Sequence, residues 1–188
     1  MSDHARSTYD AFAADYDAFT AHHDYEAWTR DLEALAVRHG LTGRTLLDVA
    51  CGTGKSFLPY LDRGYAVVGC DASPAMLARA ADKTGGRVPL HVADMRALPV
   101  LGSFSLVTLL DDAVNYVHDA DELTATFSGV ARNLAADGVA LFDANTQLMY
   151  GTFFAATEVV ERDGAVMVWR GECPAGAFRG TRTAHAAA

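Results

Sequence analysis

Leu46–Ser56, with the sequence LLDVACGTGKS, joins an apolar segment to a turn of small residues. The apolar residues predict a short buried strand, TLLDVA, and the glycines let the backbone that follows pass close to a ligand. Three kinds of ligand-binding loop share this outline. The residues around the turn, and the strands that come after it, have to distinguish them.

Strands and helices alternate after this turn. A helix is predicted over Lys55–Arg63, a second follows the cap residue Ser73, and a third runs from the cap residue Asp119 to Leu134. Further strands are predicted from the apolar segments YAVVGCD, VPLHVAD, FSLVTLLDD and GVALFDANT. This alternation predicts an α/β fold with a mostly parallel sheet and helices on both faces.

The segments before and after this core have other patterns. Residues 7–39 are predicted to be helical. In the first part of this range aromatic side chains recur at spacings of three and four, and a second helix is predicted over Tyr25–His39. At the other end, TEVVERDGAVMVW predicts a β-hairpin that turns at Asp163–Gly164. The tail from Cys173 onward has no periodicity, so the antiparallel part is expected to be short.

The composition argues against two classes of partner. The chain has 188 residues, 51% of them apolar and 21% charged, with a formal net charge of −9. These values are typical of a globular domain, and the negative charge disfavours nucleic acid and anionic membranes as partners. The polar N-terminus and three widely separated cysteines predict a cytoplasmic protein with reduced thiols.

Two phosphate-binding loops fit the turn poorly. A nucleoside-triphosphate loop ends in Gly-Lys-Ser, as here, but its first glycine would fall at Val49, inside the strand. A dinucleotide loop needs three glycines, of which Gly52 and Gly54 supply two, while Phe57 stands at the third place. The third alternative holds the ammonium and carboxylate of an amino acid through backbone groups, and it needs no third glycine.

Acidic residues accompany the first four predicted strands. They are Asp48, Asp71, Asp94 and Asp111. Because ligands bind outside the carboxyl ends of parallel strands, these side chains are expected at one edge of the sheet. Asp71 follows Asp48 at about the 20-residue offset of an acid that binds ribose hydroxyls.

Together these motifs resemble the class I S-adenosylmethionine-dependent methyltransferases of small-molecule type, which include bacterial amino-sugar and natural-product N-methyltransferases. The matching motifs, in family order, are LLDVACGTG, VVGCDASPAML, HVADMRAL, FSLVTLLDDAVNYV and GVALFDANT. The resemblance implies a Rossmann-like fold, with S-adenosylmethionine as cofactor and S-adenosylhomocysteine as product. We expect one methyltransferase domain, with a helical lid (1–40), a cofactor-binding core (41–146) and a hairpin and tail (147–188).

The resemblance also implies roles for individual residues in the cofactor site. Tyr16 and Trp28 would close over the cofactor, although both also fit as core residues of their helices. The other cofactor-site residues are Asp48, which would orient the turn; Ala50, Gly52 and Gly54, with Cys51 between them, at the methionine moiety; Asp71, followed by Ala72, at the ribose; Met76, Asp94 and Met95 at the adenine; and Leu110 and Asp111 at the sulfonium.

Methyl transfer to a nitrogen or oxygen is an in-line displacement, in which positioning supplies much of the acceleration. In DDAVNYVHD, which would lie beside the methyl group, the candidates for catalysis are Asp112, Asn115, Tyr116 and His118. Amino-sugar members of the family carry a histidine at the position of Tyr116. Tyrosine has a reference pKa of about 10 and is a poor base without help. His118 also fits a solvent-exposed position before the next helix.

Other functions remain open on the sequence alone. Gly52 and Gly54 are compatible with an NAD(P)-dependent oxidoreductase. The short C-terminal part and the lack of an evident base are compatible with a non-catalytic cofactor-binding module. No metal is expected, because the neighbouring His22 and His23 would point in different directions on a helix. A monomer and a homodimer are both compatible with the sequence.

Overall fold

The computed structural model describes residues 3–162, 165–172 and 179–185. These residues fall into two units. The first takes in the chain up to Ala13 and Asp24–Ala144, and the second takes in Ala14–His23 and the described residues from Asn145 onward. Tyr16 lies in the second unit, and the other predicted site residues lie in the first.

Five strands of the first unit form a parallel sheet in the order β3-β2-β1-β4-β5. They are β1 (Thr45–Val49), β2 (Ala66–Asp71), β3 (Leu90–Val92), β4 (Phe104–Leu109) and β5 (Leu134–Phe142). The strand order reverses direction between β1 and β4, and sheets of this kind bind ligands at such a reversal. The predicted α/β fold with a mostly parallel sheet is confirmed.

Two hydrophobic clusters, one on each face, hold the sheet between helices. The helices of the first unit are α1 (Asp3–Phe12), α3 (Tyr25–Arg38), α4 (Leu58–Asp62), α5 (Pro74–Thr84) and α6 (Ala120–Asn133), whereas α2 (Tyr16–Phe19) and α7 (Gln147–Gly151) belong to the second unit. Leu46 of β1 packs in one cluster with Tyr60 of α4, whereas its neighbour Leu47 packs in the other with Val130 of α6. This alternation follows from the two-residue period of a strand.

The predicted caps are present, but the start of one helix differs from the prediction. Ser73 accepts a hydrogen bond from the backbone of Met76, and Asp119 accepts one from the backbone of Glu122. The helix predicted from Lys55 begins only at Leu58. Residues 55–57 form a turn instead, because Ser56 bonds to Asp48 in the strand before it.

The N-terminal helical region is interrupted twice. Its first helix ends at Phe12, and α2 ends at Phe19. The hydroxyl of Thr20 donates to the carbonyl of Tyr16, a local bond that competes with helix continuation, and Asp24 then caps α3 through the backbone of Ala27. The aromatic spacing continues across these breaks, so periodicity alone did not reveal them.

The second unit contains a three-stranded antiparallel sheet in the order β6-β7-β8. Its strands are β6 (Thr157–Arg162), β7 (Ala165–Glu172) and β8 (Arg179–His185). Pairing of β6 with β7 confirms the predicted hairpin, although its turn at Asp163–Gly164 and the tail residue Cys173 lie outside the described residues. The third strand was not predicted, because its sequence lacks the apolar alternation that marks a half-buried strand.

Gly129 of α6 provides a test of the helix packing. A Cβ added there would lie 2.8 Å from the Cβ of Leu98, an atom that cannot rotate away. The gain in helix propensity is about 1 kcal/mol, whereas overpacking typically costs about 1–3 kcal/mol. We expect Gly129→Ala to lower the free energy of unfolding by up to about 2 kcal/mol in urea titrations. Ser128→Ala, at an exposed position of the same helix, is the control, and a stabilised Gly129→Ala protein would contradict this packing.

Across the described residues, the helices are all too short or too polar to cross a lipid bilayer.

Candidate functional site

Asp48 lies buried beneath the turn that follows β1. Its Oδ1 accepts a hydrogen bond from the hydroxyl of Thr108, and its Oδ2 accepts one from the hydroxyl of Ser56, both at 2.6 Å. Burial raises the pKa of Asp48 to about 7, although these two bonds oppose the rise. The carboxyl therefore joins β1, β4 and the segment before α4, a position that fits the predicted role in orienting the turn.

The turn itself has an unusual backbone. Ala50, Gly52 and Gly54 have φ values of 58°, 53° and 86°. A positive φ is ordinary for glycine but strained for alanine, and strained residues of this kind cluster at functional sites. A Cβ added at Gly52 would meet no atom within 4 Å, so this part of the backbone borders open space. At Gly54 a Cβ would lie 2.6 Å from the ring of Phe57, which is buried beneath the turn.

Cys51 is the one thiol among the predicted cofactor-site residues. The side chain is buried, and its backbone N–H donates to the carbonyl of Cys70. Burial raises the pKa of Cys51 well above its ordinary value. Burial therefore disfavours the thiolate, which is the reactive form of cysteine.

Asp71, at the end of β2, is joined directly to this turn. Its Oδ2 accepts from the backbone of Gly52 and its Oδ1 from the backbone of Ser73, both at 2.8 Å. Burial raises the pKa of Asp71, and these backbone bonds oppose the rise. Helix α1 also reaches this place, because the hydroxyl of Ser73 donates to Asp10 at 2.5 Å. Ala72, between the two, is half-buried.

The predicted adenine-side residues are engaged within the protein. Met76 is 1% exposed and Met95 is 6% exposed. Asp94 caps the 3-10 turn Met95–Ala97 and forms a 2.7 Å ion pair with Arg96, which also pairs with Glu122. Burial alone would raise the pKa of Asp94, but the bonds from Arg96 lower it. Any contact of Asp94 with a ligand has to coexist with this ion pair.

A second strained segment follows β4, next to the first. Leu110 is buried, and Asp111 and Asp112 have φ values of 60° and 57°. The hydroxyl of Tyr25 donates to Oδ2 of Asp111 at 2.6 Å. The backbone of Asp112 donates to Asp143 at 2.9 Å, and burial raises the pKa of that carboxyl.

Tyr25 and Asp143 were not predicted as site residues. Asp143 carried a signal in the sequence, since it follows the last parallel strand as Asp111 follows β4. Tyr25 carried none, because its position on α3 follows an ordinary apolar helix pattern.

The four catalytic candidates separate into two groups. The first group is half-buried and consists of Asp112, just before the 3-10 turn Ala113–Tyr116, and of Asn115 and Tyr116 within that turn. The hydroxyl of Tyr116 lies 2.5 Å from that of Tyr9 on α1. The side chain of His118 is exposed, and its backbone N–H donates to Glu122. This position matches the solvent-exposed alternative for His118.

The two aromatic lid candidates lie in different units. Trp28 is half-buried on α3, and its ring meets the ring of Tyr25 edge-on at 6.0 Å. Tyr16 is half-buried on α2 in the second unit. Whether either closes over a cofactor stays a prediction.

His22 and His23, the pair considered for a metal, stack edge to face on each other at 4.2 Å. Within residues 3–162, 165–172 and 179–185, no three His, Cys, Asp or Glu side chains are grouped to hold a metal ion.

Comparison with known proteins identifies the family. Residues 46–138 match a family model described as a methyltransferase domain. The chain is 30% identical over 166 residues to a putative methyltransferase, YqeM, of Bacillus subtilis, covering 86% of this chain and 66% of that protein. It is 35% identical over 120 residues to a dTDP-3-amino-3,6-dideoxy-alpha-D-glucopyranose N,N-dimethyltransferase of Streptomyces fradiae, covering 64% of this chain and 47% of that one.

Solved structures agree. An S-adenosylmethionine-dependent methyltransferase from Clostridium acetobutylicum matches with a TM-score of 0.76 and 26% identity, over 95% of this chain and 79% of that chain. The chain spans only about half to two thirds of the length of the curated relatives named above.

The order of the parallel strands, the acidic residues at their carboxyl ends and these matches lead to one conclusion. This chain belongs to the class I S-adenosylmethionine-dependent methyltransferases, and its relatives include bacterial small-molecule methyltransferases.

Proposed function

We propose that the chain transfers the methyl group of S-adenosylmethionine to a nitrogen or oxygen of a small molecule by in-line displacement. The observation that carries this proposal is the carboxyl edge of β1, β2 and β4. There a strained turn borders open space at Gly52, and carboxylates of Asp71 and Asp111 are fixed on either side of it. Such an edge suits a ligand with a ribose diol and cationic groups.

The residues present fit this cofactor. Asp71 already accepts two backbone N–H groups, and a carboxylate has acceptor sites left for ribose hydroxyls. Asp111 places negative charge where the resemblance puts the sulfonium. The bound cofactor supplies an activated methyl group, so the chain has to orient it, exclude water and position the acceptor.

On the acceptor side, an amine nitrogen is the atom we favour. Asp111 and Asp112 are consecutive carboxylates, and Tyr116 adds a hydroxyl close to them in the sequence. A carboxylate attracts a protonated amine and can accept the proton that the nitrogen has to lose before its lone pair attacks the methyl group. The Streptomyces fradiae relative is named as an N,N-dimethyltransferase, which supports nitrogen as the target.

The direct test is methyl transfer itself. The protein is incubated with S-adenosylmethionine and a panel of amines, including a nucleotide-linked amino sugar, and of phenols and carboxylates. Mass spectrometry then detects methylated products and S-adenosylhomocysteine. Product from an amine supports the proposal, and product from a phenol alone moves the target to oxygen. Cofactor binding with no product from any acceptor would favour the non-catalytic module.

Tyr116→Phe tests the acceptor side. If the hydroxyl of Tyr116 contacts the acceptor, its removal should lower kcat by about 100-fold, the lower end for a group that assists proton transfer, and leave S-adenosylhomocysteine affinity unchanged.

Tyr9→Phe is the matched variant, because it removes the other hydroxyl of the 2.5 Å pair. If Tyr116 acts only by holding α1 in place, the two variants will lose the same activity. Equal losses would therefore contradict contact between Tyr116 and the acceptor.

A further inference from the structure

Lys55 lies in the turn between β1 and α4, not in a helix. Helix α4 begins at Leu58, and the ammonium of Lys55 lies 4.8 Å from the centre of the Tyr25 ring. A cation–π contact of this kind holds the ammonium in place and leaves its formal charge intact. The turn thus presents a positioned cation directly after Gly54.

Tyr25 connects this cation to a carboxylate on the neighbouring strand. Tyr25 is 7% exposed, and its hydroxyl donates to Asp111 at 2.6 Å. Lys55 follows β1 and Asp111 follows β4, and these strands are adjacent at the point where the strand order reverses. A single buried side chain therefore fixes a positive and a negative group at the expected ligand crevice.

The remaining charges at this edge create a need for that cation. Asp71 and Asp111 lie at the carboxyl ends of β2 and β4, on either side of the turn after β1. They suit the sulfonium and ammonium of S-adenosylmethionine, but they repel the carboxylate of its methionine moiety. A carboxylate bound here requires a compensating positive charge, because burying an unpaired charge is costly.

We propose that Lys55 binds the carboxylate of the cofactor's methionine moiety, and that Tyr25 is the positioning residue that holds Lys55 and Asp111 on either side of it. This inference rests on the proposed function, since it assumes that S-adenosylmethionine binds at this edge. It assigns a role to the Gly-Lys-Ser sequence, whose lysine was first interpreted as the start of a helix.

A pair of ligands isolates the carboxylate. S-adenosylhomocysteine carries the amino-acid end, whereas 5′-methylthioadenosine lacks it and keeps the adenosine. In calorimetric titrations, Lys55→Met should weaken S-adenosylhomocysteine binding by about 10- to 100-fold, the scale of a lost hydrogen bond to a charged group. Binding of 5′-methylthioadenosine should not change. Lys55→Arg should keep most of the preference for S-adenosylhomocysteine, and Arg79→Met, on the exposed surface of α5, is the charge control.

Tyr25→Phe tests the positioning role. It keeps the ring beneath Lys55 and removes the bond to Asp111, so it should reduce the preference for S-adenosylhomocysteine over 5′-methylthioadenosine several-fold. Tyr65→Phe is the matched control, because it removes a buried tyrosine's bond to Glu33 at another place.

Three outcomes overturn the inference. Loss of both ligands to the same degree in Lys55→Met would mean that the lysine only stabilises the turn. Unchanged affinity of Lys55→Met for both ligands would mean that the carboxylate lies elsewhere, while the proposed function stands. Failure of the unaltered protein to bind either ligand at millimolar concentration would overturn the proposed function as well.

Discussion

Asparagine in place of Asp48 is expected to remove most of one pH-dependent loss of stability. The pKa of Asp48 is raised from 3.8 to about 7 in the folded protein, chiefly by burial. The folded state therefore binds more protons than the unfolded state between these values, and stability falls as the pH rises through about 7. This shift in pKa corresponds to a loss of at most about 4 kcal/mol in the free energy of unfolding. An asparagine cannot ionise, and its amide can still bond to the hydroxyls of Ser56 and Thr108.

The unaltered protein and Asp48→Asn are each unfolded in urea at about pH 5 and at about pH 8. The difference in unfolding free energy between the two proteins is then compared at the two pH values. Asp48→Asn should gain stability relative to the original protein at the higher pH. The pKa values of Asp71 and Asp143 are also raised, but both proteins share them, so their effects cancel. Asp62→Asn, at an exposed position of α4, is the control. A constant difference across this range would contradict a protonated Asp48.

Asp71→Ala is expected to weaken S-adenosylhomocysteine binding by about 1–3 kcal/mol, the scale of lost hydrogen bonds to a charged group. The structure adds a second reason for the loss. The carboxylate also accepts from the backbone of Gly52 and Ser73, so its removal leaves two N–H groups of the turn without this partner.

Calorimetry with a cofactor analogue that lacks both ribose hydroxyls separates the two effects. The unaltered protein should prefer S-adenosylhomocysteine over this analogue, and Asp71→Ala should bind both with similar affinity. If Asp71 only shapes the turn, the variant will weaken both ligands equally and keep the preference. Asp82→Ala, at an exposed position of α5, controls for the loss of one negative charge.

The acidic edge of the sheet could be predicted because its determinants are local. Each strand is marked by its own apolar residues, and the aspartate that ends it is a sequence neighbour. Parallel strands bring their carboxyl ends to one edge whatever the details of packing. The proximity of Asp48, Asp71 and Asp111 can therefore be predicted without knowing how the helices pack.

Bonds between distant segments could not be predicted in this way. Tyr25 and Asp111 are 86 positions apart, and Tyr9 and Tyr116 are 107 apart. Tyr25 and Tyr9 belong to helices whose apolar pattern fits an ordinary core position, so nothing in the local sequence shows which partner each hydroxyl reaches. The ion pair between Asp94 and Arg96 was missed for another reason, because only the observed 3-10 turn brings the two side chains together.

The sequence by itself determined the α/β class, the parallel strands and the acidic residues at their ends, since strand period and glycine turns act over a few residues. Tertiary structure decided which of those carboxyl groups are buried and which segments each of them bonds to. Lys55 shows the difference most clearly. Its neighbours suggested a helix start, and only the packing of α3 places Tyr25 beneath its ammonium, because burial and charge pairing depend on segments that are distant in the chain.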